Sequence, residues 1–200
     1  AVCAEQMLLI QAYVSMANIS KAINVGNYKE LLKKSNELKI RVNKYYWNDE
    51  KGAFIDSYSS GENNVTRHAN IFAVMYDIAT KEQAQSILEN VLKNDNVTKI
   101  TTPYFEGYEL DVLAKLGDFK EVEDMITSYW GSMIDLGATT IWEEYNPQMK
   151  GIEHYEMYGG KYEKSLCHAW GAGPICLFGK YYLGVKATSA GYQTFIVEPK

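Results

Sequence analysis

The sequence predicts an all-α fold in which successive helical hairpins form part of an (α/α) toroid, and three observations predict it. Apolar residues recur at helical spacing over most of the 200 residues. Helix starts and stops fall in pairs, giving hairpins that begin near residues 3, 67 and 103 and half a hairpin at the end. The connection over 147–172 is long and rich in Gly, Tyr, His and Glu. Solenoids favour a repeated consensus and short connections, whereas long loops are commonly functional, so the toroid is preferred. No sequence repeat is visible; the recurrence is architectural. A closed ring needs more pairs than these, and the helical rhythm is already present at "AVCAEQMLLI". The chain is therefore expected to be a piece cut from a longer one.

The elements follow in order. Residues 3–25 form a first helix with Met7, Ile10, Val14, Ala17 and Ala22 among its apolar positions, closed by Gly26 and Asn27. A second helix covers 28–47. "NDEKGAFIDSYSSGENNVT" then breaks the rhythm, with alternation over 53–58 and turn residues on both sides, which predicts a short hairpin or strand-like loop. Helix returns over 67–79, with His68 as a structural residue of its opening turn. Thr80 is the expected N-cap of a helix to 93. Pro103 fits the first turn of a helix that Gly117 closes, and Asp118 caps another to about 133. A polar loop leads to a last helix from near Pro174 to Leu183, with Gly184 after it, and the tail alternates Tyr192, Thr194, Ile196 like an emerging strand.

Composition narrows the function classes. The chain is 46% hydrophobic and 22% charged, with net charge −5. It holds no Lys/Arg block able to track phosphates, so nucleic acid is not an expected partner. No apolar run approaches the ~20 residues of a membrane span. Three cysteines, Cys3, Cys167 and Cys176, cannot all pair within one chain. Cys167, His168, Cys176 and His154 lack zinc-ligand spacing, and no metal or cofactor is expected. The Cys167–His168 neighbours are no nucleophilic couple, because such a pair meets through space. Asn-x-Ser/Thr triplets at Asn18, Asn64 and Asn96 carry little weight. Sixteen tyrosines and four tryptophans exceed what a plain bundle needs. Such rings either fill cores or stack on sugars.

One segment stands out chemically. "GATTIWEEYNP", Gly137 to Pro147, sets two carboxylates between aromatic rings in a stretch of poor helix propensity. Neighbours in extended backbone point to opposite sides, so only one of Glu143 and Glu144 faces a ligand. Thr139 and Thr140 offer hydroxyls to backbone that no helix satisfies, and Pro147 stiffens the exit. Glu106 and Glu109 stand at i, i+3 and read as a solvated helical face. Tyr104, Phe105 and Trp170 are candidate stacking platforms.

Together, "TTPYFEGYELDVLAKLGD", "GATTIWEEYNP" and "SLCHAWGAGPICLFGKYYLGVKATSAGYQTFIVEP" resemble, in that order, the C-terminal part of the bacterial α-L-rhamnosidases. The resemblance is strong from residue 101 onward and weaker in the first two helices. It implies the second half of an (α/α)₆ barrel over residues 1–185, with 186–200 opening a C-terminal β-sandwich. It implies an inverting hydrolase acting on rhamnose-containing glycans or glycosides, and an upstream remainder of the chain that completes the barrel. The family's general base follows the tryptophan of a Thr-Thr-x-Trp-Glu motif, here Glu143, and the histidine of Ser-Leu-x-His, here His168, contacts the sugar. Trp142, Trp170 and Phe105 are the further candidates for substrate contact. No segment matches the region of the family's general acid, so these residues carry one of the two carboxyls required. Two rival readings are another (α/α)-barrel carbohydrate enzyme, against which an acidic chain argues in the case of a uronate lyase, and a non-catalytic helical module.

Overall fold

The computed structural model describes residues 2–200. They form two compact units, one up to Lys99 and the other from Ile100 to Lys200.

In the first unit, α1 (Cys3–Ala22) packs on α2 (Tyr28–Tyr46) and α3 (Arg67–Met75). Cys3, Met7, Ile10 and Ala17 form its buried stripe, at the spacing one helical face requires. The helix ends three residues before the expected 25, because Asn24 and Gly26 take left-handed backbone (φ 54° and 75°). Asn27 caps α2 by accepting from the Glu30 N–H at 3.2 Å. The expected hairpin is present but begins earlier: β1 (Trp47–Asn48) pairs antiparallel with β2 (Ala53–Phe54). Asn70, on α3, exchanges hydrogen bonds with both backbone groups of Phe54, so a buried amide completes the ladder that a third strand would supply. Thr80 and Gln83 form a reciprocal capping box at the start of α4 (Lys81–Ile87), which continues as a wider π-turn over Leu88–Leu92. The Arg67 guanidinium closes that end by donating to Leu92 O at 3.0 Å. His68 lies exposed on the first turn of α3.

In the second unit, α5 (Pro103–Leu116) is central, contacting α6 (Phe119–Met125) and α8 (Gly173–Leu177). Pro103 opens it, Gly117 ends it in left-handed backbone at φ 86°, and Asp118 caps α6, all as the sequence predicts. α6 continues through a π-turn, Ile126–Trp130, into α7 (Gly131–Asp135). α8 likewise runs on as a π-turn, Phe178–Tyr182. Gly107 and Gly173 let α5 and α8 approach closely: a Cβ built on Gly173 would stand 3.0 Å from the Gly107 Cα.

Two expectations need correction here. Glu106 and Glu109 are not a solvated face; they are 5% and 2% exposed, because α5 has helices on more than one side. The tail strand begins at Phe195 rather than Tyr192, which sits in a 3₁₀ turn at φ 55°. This β4 (Phe195–Val197) pairs antiparallel with β3 (Val185–Ala187), aligning Val185 with Val197. Within the described residues no helix is long and apolar enough to cross a membrane.

Candidate active site

The segment after α7 leaves the helix through Ala138, whose N–H donates to Met133 O at 2.9 Å, and becomes extended. Threonine, isoleucine and tryptophan suit that backbone better than a helix. Residues 140–143 then lie beside 165–168. The Glu143 N–H donates to Ser165 O at 2.9 Å, the His168 N–H donates to Ile141 O at 2.8 Å, and the Thr140 hydroxyl donates to Leu166 O. On the other flank, the Tyr145 N–H donates to Thr101 O at 3.0 Å. Positions 143 and 168 are 25 residues apart in sequence, yet this pairing sets their side chains side by side.

Glu143 is 7% exposed. Its Oε1 accepts from the Tyr158 hydroxyl at 2.8 Å, and its Oε2 accepts from the Ser165 N–H at 3.2 Å. The His168 Nδ1 stands 3.9 Å from Oε2. The Tyr158 hydrogen bond holds the carboxyl below its ordinary pKa; burial opposes this, and the Ser165 N–H, His168 and Lys164 reinforce it. A carboxylate offers about four acceptor sites, so two hydrogen bonds leave lone pairs for a water.

Glu144 turns the other way, as extended backbone requires, and its Oε2 meets the Lys164 Nζ at 3.1 Å. The lysine side chain is 1% exposed and that of Glu144 16%, so this pair is largely out of water. Trp142 is 3% exposed and lies behind the loop, its ring 5.7 Å from Tyr155 and 6.4 Å from His154. His154 in turn stacks on Tyr145 at 5.8 Å.

Trp170 is exposed, its ring 4.0 Å from that of His168 and 5.2 Å from Tyr104, against which it stacks. Tyr104 shares a hydroxyl hydrogen bond with Tyr108 at 2.9 Å, and Phe105 stands edge-on to both rings. The structure thus joins His168, Trp170, Tyr104 and Phe105 in one aromatic row with Glu143 at its His168 end, whereas Trp142 is buried against Tyr155 and His154. Sequence reasoning missed Tyr158 and Lys164. The one signal that could have found them is the Gly-, Tyr- and Glu-rich composition of the long loop. Among the described residues no group of three or more His, Cys, Asp and Glu is placed to hold a metal ion.

Comparison with known proteins gives the geometry a context. No curated protein matches the chain. Among solved structures, a rhamnosidase from Klebsiella oxytoca with rhamnose bound superposes with a TM-score of 0.79 at 25% identity, over 90% of this chain and 34% of that one. The GH78 family rhamnosidase of Bacillus sp. GL1 gives 0.84 at 22% identity, over 100% and 21%. A Streptomyces avermitilis α-L-rhamnosidase complexed with L-rhamnose gives 0.70 at 15%, over 98% and 18%. The chain thus spans about a third or less of the length of these structures. The family model of the bacterial α-L-rhamnosidase 6 hairpin glycosidase domain matches residues 2–181. By that match over nearly all of its length, and with helical hairpins that agree with an (α/α)₆ barrel, the chain belongs to the bacterial α-L-rhamnosidase six-hairpin glycosidase family.

Proposed function

We propose that these residues are the C-terminal part of the catalytic barrel of an α-L-rhamnosidase that releases terminal rhamnose with inversion, and that Glu143 is its general base. In inverting hydrolysis one carboxylic acid protonates the leaving oxygen while a carboxylate on the opposite face of the sugar takes a proton from water. The water oxygen bonds to the anomeric carbon as the glycosidic bond breaks, and the leaving oxygen departs with the proton of the acid. Glu143 suits the second task, being ionised, held by two donors and left with acceptor capacity. The general acid is assigned to a part of the protein outside these residues. His168 and the exposed Trp170 are proposed to bind the sugar, with Phe105 at the far end of the aromatic row and Trp142 backing the base. Residues 186–200 are proposed to open a β-sandwich.

One observation carries this reading: a nearly buried carboxylate, 7% exposed, is clamped by a phenol and a backbone N–H with an imidazole beside it. Solvated loop acids have no such surroundings. The test is hydrolysis of an aryl α-L-rhamnoside by the longer protein containing this chain. Glu143→Gln is expected to lower kcat by about 10²-fold or more while the protein stays folded at neutral pH, and the 200 residues alone are expected to be inactive. Turnover by Glu143→Gln near that of the unaltered protein removes Glu143 from the role, and no hydrolysis by the longer protein removes the activity itself.

A further inference from the structure

The long loop spends an unfavourable backbone conformation on placing one tyrosine. Met157 and Gly160 exchange backbone hydrogen bonds at 3.2 and 3.0 Å, closing a two-residue turn whose central residues both have positive φ, Tyr158 at 55° and Gly159 at 92°. Turns of this type favour Asn, Asp or Gly at the first central position, because a Cβ is crowded in left-handed backbone. A tyrosine there is disfavoured unless its side chain gains something. The ring gains little from packing, since Tyr158 is 78% exposed. Its hydroxyl reaches the Glu143 Oε1 at 2.8 Å. Such outliers, held where the surroundings over-determine them, cluster at functional sites.

We propose that Tyr158 is a positioning residue for the base: the turn presents its phenol so that the Glu143 carboxylate is fixed in one orientation and stays ionised while it awaits water. The inference rests on Glu143 being the base. The hydrogen bond occupies one lone pair of Oε1, the Ser165 N–H occupies one of Oε2, and together they stop the carboxylate from rotating. The proton from water is then left the remaining lone pairs. Among the described residues, the titratable and charged groups that act on the carboxylate are Tyr158, His168 with Nδ1 at 3.9 Å, and Lys164, itself engaged by Glu144 at 3.1 Å. A phenol that donates to the ionised form favours that form, in the direction of the lowered Glu143 pKa and the raised Tyr158 pKa.

The test is the pH profile of kcat/KM for an aryl α-L-rhamnoside, measured on the longer protein containing this chain, for Tyr158→Phe, Tyr158→Asn and Glu143→Gln. Phenylalanine keeps the ring and removes only the hydroxyl. Asparagine suits the left-handed turn better and keeps the loop folded without a phenol. Both Tyr158 variants should move the acidic limb to higher pH and lower kcat/KM on that limb by about tenfold, the scale of one hydrogen bond to a charged group. Repeating Tyr158→Phe in a His168→Gln background removes the imidazole beside the carboxylate and should preserve the displacement. An unmoved limb, or a change confined to KM as sugar stacking would give, overturns the assignment of Tyr158 while a silent Glu143→Gln keeps the base reading intact. Activity in Glu143→Gln overturns both.

Discussion

At the scale of the residue, Glu143 and Glu144 show how one dipeptide divides into two roles. The first carboxylate is clamped by neutral donors, the second by the Lys164 ammonium in a site nearly closed to water. Removing one partner of such a pair leaves the other buried and uncompensated, which costs about 3–5 kcal/mol when burial is complete. Lys164→Met is therefore expected to lower stability by about 3 kcal/mol, read from denaturant unfolding, and the double variant Lys164→Met/Glu144→Leu to recover most of it. An equal loss in both would mean the lysine acts through packing of its stem. Glu143 makes a pH-dependent contribution of its own. Its folded pKa is depressed, so its stabilisation is fully present above the unfolded value of about 4.3 and is lost as pH falls through the folded one. Glu143→Gln should flatten that acid dependence. Glu143 and His168 were legible in the sequence because motifs carry them. Tyr158 and Lys164 were not, since a tyrosine in a loop and a lysine among polar residues gain meaning only once the 147–172 connection folds back.

At the scale of the element, local chemistry decided most boundaries. The Thr80 capping box, Pro103, Gly117 and Asp118 each act within one helical turn, so sequence alone placed them. The pairing of 140–143 with 165–168 was hidden, because its hydrogen bonds join segments that show no strand-like alternation. The burial of Glu106 and Glu109 was hidden too: a helical i, i+3 pair of acids looks solvated until the helices around α5 are known. Gly171 shows how tightly these elements fit. Its carbonyl accepts from the Trp130 indole at 2.9 Å, and a Cβ on it would stand 2.3 Å from Ile141 Cγ2 and 3.0 Å from Pro103 Cγ. Gly171→Ala is expected to cost about 1–3 kcal/mol and, by pushing residues 140–143 away from His168, to lower activity as well. Ile141→Ala in the same chain removes the obstructing methyl and should restore part of both. Stability unchanged in Gly171→Ala would show that the loop yields at no cost.

At the scale of the whole molecule, helical period and hairpin recurrence made the fold class legible, and the family assignment rests on nearly the full length. Helix periodicity cannot say which apolar faces are covered by residues beyond those present. Met16 and Ile19 on α1, and Ile23 just after its end, are exposed at 58%, 58% and 62%, more continuous apolar surface than a free helix usually presents. On the proposed reading the rest of the barrel covers it. Ile19→Lys should then destabilise the longer protein by more than about 1 kcal/mol, while in the 200 residues alone it should be neutral and raise solubility. Equal, negligible effects in both would place this face in solvent and count against a longer helical ring.

The most direct test of the central claim replaces the base with an outside nucleophile. In Glu143→Ala of the longer protein, azide can occupy the place of the activated water and attack the anomeric carbon unaided, since it needs no proton removed. Azide is expected to restore turnover of an aryl α-L-rhamnoside, and the product, by proton NMR, to be the β-configured rhamnosyl azide. An α-configured azide, or a Glu143→Ala protein that hydrolyses the substrate at the unaltered rate without azide, would contradict the claim.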